Sequence, residues 1–93
     1  MIMHMSIHHP DPEQVDAMVE AMRRFERQMR AQPGVLSVHT LKDMNTGVLV
    51  SLTVYSGKEP WLAVQPAMAH AEAGEDFSRW EGEPPLVFHL EEI

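Results

Sequence analysis

An α+β fold with the element order β-α-β-β-α-β is predicted by three observations. Alternation of side-chain polarity marks four short strands. One long, regular apolar stripe marks a helix between the first strand and the second. A Pro-interrupted helical segment with two Trp residues separates the third strand from the fourth. This order is that of ferredoxin-like domains, in which an antiparallel sheet carries both helices on one face. A chain of 93 residues has room for a single domain, 1–93.

Each element has its own sequence warrant. Ile2 to His8 alternates as a first strand. Asp11-Pro12-Glu13-Gln14 has the form of a helix start, with Asp11 as cap, Pro12 at the first helical position and Gln14 closing a capping box. From there to about Gln32, Val15, Met18, Met22, Phe25 and Met29 recur at three- and four-residue steps, a stripe suited to covering a sheet. Pro33-Gly34 ends the helix. Val35 to Lys42 and Gly47 to Tyr55 read as two strands joined by the turn-forming Asp43-Met44-Asn45-Thr46. Ser56-Gly57-Lys58-Glu59 has capping-box spacing and starts a second helix. Pro66 lies deep inside that helix, so a kink or break is expected there. A short helix over Glu75 to Trp80, a loop over Gly82 to Pro85 and a last strand over Leu86 to Glu91 complete the chain.

Composition narrows the function classes. The net charge is −7, and four of the seven basic residues (Arg23, Arg24, Arg27, Arg30) share one helix with acidic neighbours, so no nucleic-acid surface is expected. Without Cys there is no thiolate nucleophile, disulfide or Cys-based metal site. The apolar run Met1 to Ile7 is too short for a signal peptide or membrane span, which makes the cytoplasm the expected compartment and a membrane partner unexpected. A domain this small leaves much of its surface uncovered, and pairing with a second copy would help it.

Sorting the strands by alternation gives two unlike sets. The apolar set contains Met1, Met3, Met5, Ile7, Leu36, Val38, Val48, Val50, Leu52, Val54, Leu86, Phe88 and Leu90; it is expected beneath the helices. The polar set contains His4, Ser6, His8, Ser37, His39, Ser51, Thr53, Tyr55 and His89; it is expected to face away. For that His-bearing face (His4, His39, His89) three roles stand open: a half-solvated surface against a partner subunit, a pH-sensitive contact, or a metal site. No His pair at helical ligand spacing supports the last, and no metal is assigned.

The second zone of interest is the interrupted helix. Trp61, Val64, Met68, His70, Phe77, Arg79 and Trp80 together are able to surround a small-molecule pocket, or equally to fill a core. His70 is the ionisable side chain best placed there to act as a base. Phosphate loops and nucleophile elbows are absent, and Ser6, Ser37, Ser51 and Ser78 lie in no such context, which sets hydrolase and kinase readings aside.

Over nearly its whole length the chain resembles the antibiotic biosynthesis monooxygenase-like family of dimeric α/β barrels. The resemblance rests on Gln32-Pro-Gly-Val-Leu-Ser-Val-His39 with Asp43 following, on the strand ending at Tyr55, on Ser56-Gly-Lys-Glu-Pro-Trp61, and on His70 in the next helix. It implies a homodimer with two sheets packed face to face and a pocket in each subunit between helices and sheet. It also implies a monooxygenase that oxidises an aromatic or quinol-like compound with O2 and no cofactor. In that reading His70 is the base, Trp61 a wall or donor and Arg79 an anion stabiliser. A non-catalytic small-molecule-binding or stress-related homodimer is the alternative, and haem or metal binding is third. Haem-degrading relatives use an Asn on the first strand, where this chain has His4, Ser6 and His8.

Overall fold

The computed structural model describes residues 1–75 and 77–93. Its elements are β1 (Ile2–His8), a 3-10 turn (Pro12–Gln14) leading into α1 (Val15–Arg30), β2 (Val35–Lys42), β3 (Leu49–Tyr55), α2 (Lys58–Ala73), α3 (Phe77–Trp80) and β4 (Leu86–Glu91). The strands form one antiparallel sheet in the order β2-β3-β1-β4, and both long helices pack on one of its faces. The predicted α+β, ferredoxin-like class and the order of its elements stand.

The local devices that open the helices differ from those expected. Asp11 makes no side-chain capping bond; its carbonyl accepts from the Gln14 amide at 2.8 Å, and its own amide donates to the Trp80 carbonyl at 2.8 Å. Gly57, not Ser56, precedes α2, with no side-chain cap. The helix runs unbroken through Pro66, so the expected break does not occur, although the Leu62 carbonyl loses the amide donor that any other residue would supply. Gly34, at φ +79°, turns the chain from α1 into β2, and Gly47, at φ +77°, does so before β3.

The main correction concerns which side of the sheet the helices cover. β1 pairs with β3 as Ile2–Tyr55, His4–Thr53, Ser6–Ser51 and His8–Leu49, and with β4 as His4–His89 and Ser6–Val87. These residues lie beneath the helices: Ile2, Val38 and Tyr55 share a core with Phe25, Met29, Val64 and Met68, and Leu49 packs with Met18 and Met22. Of the set expected inside, Val38 is turned toward the helices, whereas Met3, Met5, Ile7, Val50, Leu52, Leu86, Phe88 and Leu90 share the open face, where the last three are 54, 41 and 41 % exposed, and Val54 beside Met3 is buried. On β2 a register shift between Val35 and Ser37 puts Val38 inward and leaves His39 on the open face. His4, His39 and His89 therefore do not share one face, as the sequence had suggested. Polarity misled because several of the inward polar groups, Ser6, His8, Ser51 and His89 among them, bond to a neighbour or line a cavity, which lowers the cost of turning them inward, although the Thr53 and Tyr55 hydroxyls are buried without a partner.

Candidate functional site

Between the helices and the polar side of the sheet lies a cavity of about 760 Å³. Its floor is His4, Ser6, His8, Ser51 and His89; Met22 and Phe25 of α1, Met68 of α2 and Phe77 of α3 form apolar walls. Gly82 to Pro85, the loop into β4, forms one rim. A largely apolar hollow with a few convergent polar groups is the form a small-molecule site takes.

The polar groups of the floor are organised. Ser6 and His8 are two apart on β1 and so point the same way. The Ser6 hydroxyl lies 2.9 Å from His8 Nε2, and His8 Nδ1 lies 3.1 Å from Glu81 Oε1. Glu81, just after α3, is drawn in by the chain's approach to β4, and the same oxygen accepts from the His9 amide at 3.0 Å. The His8 and Glu81 side chains are only 9 and 1 % exposed. An ionised carboxylate only accepts, so in the neutral imidazole Nδ1 carries the hydrogen, Nε2 is the acceptor, and the Ser6 hydroxyl donates to it.

His4 and His89 add a pair of imidazoles with ring centroids 4.8 Å apart. Burial, helped by the proximity of His89 and His8, brings the His4 pKa down to about 4, so His4 is neutral near pH 7. Its Nδ1 is buried with no hydrogen-bond partner in the protein. Glu72 on the rim is held above the usual carboxylate range by burial, and burial together with Glu72 pushes the Tyr55 phenol up to about 12. Three carboxylate residues (Glu72, Glu81, Glu83) and no Lys or Arg line the cavity among the described residues. Nor, among those residues, does any group of three or more His, Asp or Glu converge as metal ligands would.

The three sequence-derived candidates fall at different distances from this centre. Trp61 packs on His89, ring centroids 5.4 Å apart, without lining the cavity itself; its indole N–H is buried without a partner. His70 is exposed on α2, and Arg79 is exposed on α3; neither contributes to the lining. Reasoning from the sequence missed the Ser6–His8–Glu81 relay. The Ser-x-His spacing on one strand face was a visible signal, but nothing local announces a carboxylate 73 residues beyond His8.

The fold and this cavity define a class: small ferredoxin-like domains that enclose a ligand space between one sheet face and its helices. More particularly, the sequence profile of the antibiotic biosynthesis monooxygenase family matches residues 1–80, and the chain belongs to that family. Among solved structures it is similar to a Mycobacterium tuberculosis protein (17 % identity, TM-score 0.83, covering 99 % of this chain and 94 % of the other). It is also similar to a Nitrosomonas europaea protein bearing the family's name (16 %, 0.83, 100 % and 99 %). A conserved protein of Methanosarcina mazei matches as well (9 %, 0.83, 99 % and 92 %). At such identities these structures speak for the fold alone. Among curated proteins, none matches significantly. No helix among the described residues is long and apolar enough to cross a membrane.

Proposed function

We propose that this protein is a homodimeric, cofactor-independent monooxygenase acting on an uncharged aromatic or quinol-like molecule. The observation that carries the reading is a carboxylate-backed imidazole inside an aromatic-walled cavity, in a chain of this family. Such a reaction begins with removal of an acidic proton from the substrate. His8, oriented by Glu81, is the base this geometry favours, with the Ser6 hydroxyl bridging to it. Neutral His4, with His89 beside it, is placed to donate to the developing oxyanion, and Met22, Phe25, Met68 and Phe77 form the apolar walls around it. The electron-rich anion then passes an electron to O2, the two radicals combine at carbon, and loss of water leaves a carbonyl. One O2 is consumed; one of its oxygens enters the product and the other leaves as water.

The acidic lining argues for uncharged substrates. A carboxylate-bearing ligand would meet Glu72, Glu81 and Glu83 without a compensating cation from the described lining, which also counts against haem with its propionates. Trp61 packs against the His89 ring.

The bare apolar sheet face supports the homodimer. Met3, Met5, Ile7, Val50, Leu52, Leu86, Phe88 and Leu90 form a continuous surface that a second copy's equivalent face would cover.

Oxygen uptake by the metal-stripped protein against a panel of anthrones and naphthoquinols tests the activity. Protein-dependent uptake that falls 100-fold or more in His8→Ala is expected. Loss in His70→Ala or Arg79→Ala instead would restore the roles the sequence suggested for those residues and move the chemistry away from His8. Saturable binding of these compounds without uptake would leave the non-catalytic binding module as the better description.

A further inference from the structure

The geometry points to a second chemistry in this cavity: Ser6 is a nucleophile, activated by His8 and Glu81, that transfers acyl groups from small uncharged esters. Hydroxyl, imidazole and carboxylate are joined in the order that activates a serine, by contacts of 2.9 and 3.1 Å. The carboxylate is itself fixed by the His9 amide at 3.0 Å, so the imidazole has one orientation to adopt. Ser6 lines the cavity, which puts its oxygen where an acyl carbon can approach.

A purely structural role explains this cluster poorly. Glu81 is buried with Oε2 lacking any hydrogen-bond partner, an arrangement that costs stability compared with an apolar side chain of similar size. Burying a carboxylate to hold one imidazole makes sense where the imidazole must keep a particular tautomer.

The steps balance without an outside oxidant or cofactor. Ser6 Oγ bonds to the ester carbonyl carbon while its proton moves to His8 Nε2. The carbonyl oxygen becomes an oxyanion, and His4, on the same strand face two residues before Ser6 and with Nδ1 unpartnered, is the donor at hand. The C–O bond to the alcohol then breaks and the alcohol leaves with the proton from His8. Water, deprotonated by His8 in turn, releases the acid and restores Ser6. The carboxylate product, surrounded by Glu72, Glu81 and Glu83, is then expelled.

The full chain treated with diisopropyl fluorophosphate and digested for mass spectrometry provides the test, with hydrolysis of p-nitrophenyl acetate as a second readout. The expected result is one phosphoryl adduct on Ser6, formed at least 100-fold more slowly in His8→Ala. Ester turnover, measured as kcat/KM, is expected to fall at least 100-fold in Ser6→Ala. Circular dichroism confirms that the variants are folded, and Ser6→Ala separates Ser6 turnover from ester hydrolysis by exposed imidazoles. Failure to modify Ser6, or ester turnover unchanged in Ser6→Ala, overturns the proposal. Neither readout involves oxygen or a quinol, so an adduct without oxygen uptake, or uptake without an adduct, separates this inference from the monooxygenase reading.

Discussion

His4 shows how one side chain couples cavity and stability. An exposed imidazole titrates near pH 6.5, whereas His4 in the fold does so at about 4, chiefly because it is buried and secondarily because His89 and His8 are near. Between these two values the unfolded chain binds a proton that the folded chain refuses. The stability associated with His4 is therefore complete above pH 6.5 and is lost as the pH falls toward 4. Allowing for solvent around a half-buried ring, the effect is at most about 2 kcal/mol. His4→Gln should flatten the decline in urea midpoint between about pH 7 and pH 4.5; an unchanged slope would show that other groups carry it. At this scale legibility was uneven. That His4, Ser6 and His8 share a face follows from alternation, and the His4–His89 neighbourhood follows from the strand order. The partner that orients His8 is a long-range contact, and a Glu after a short helix looks in the sequence like any solvated carboxylate.

Two positions test how the elements are joined. Gly34 has φ +79°, and a Cβ there would overlap the Pro60 side chain at the start of α2. Gly34→Ala combines left-handed strain with a clash that a ring built into the backbone cannot easily avoid, so a loss of about 2–4 kcal/mol is expected in urea denaturation. Pro66 works in the other direction. It sits, exposed, in the middle of a continuous helix and supplies no amide donor, so Pro66→Ala should stabilise the domain by about 1–3 kcal/mol. A melting temperature that does not rise would mean α2 owes its path to the proline ring. The elements were readable from periodicity to within a few residues, because each carries a face that must be buried. Their caps were not, since the predicted Asp11 and Ser56 devices had to compete with backbone bonds such as Asp11 to Trp80. Nor was the side on which the helices lie. Alternation states which residues share a face of a sheet, but when both faces have a claim to burial it cannot say which one the helices take.

For the molecule as a whole, the inverted sidedness is the informative fact. A lone domain with Phe88 and Leu90 facing water leaves unburied the apolar surface that a two-fold partner would cover. Phe88→Glu alters the open face and leaves the helix-side core intact. Sedimentation at micromolar concentration should show a dimer for the parent chain and a monomer, melting several degrees lower, for the variant. A monomeric parent would remove the dimer from the description. The outermost strand has a further consequence. Among the described residues β4 pairs with β1 alone and every one of its residues is exposed; the segment leading into it contributes Glu81 and the Gly82–Pro85 rim to the cavity, and β4 itself contributes Val87 and His89. One ladder therefore holds both the edge of the sheet and the wall of the chamber. Because Val87 and His89 of β4 line the chamber, an occupant should slow amide hydrogen exchange along residues 86–91, and unchanged exchange there would place the occupant elsewhere.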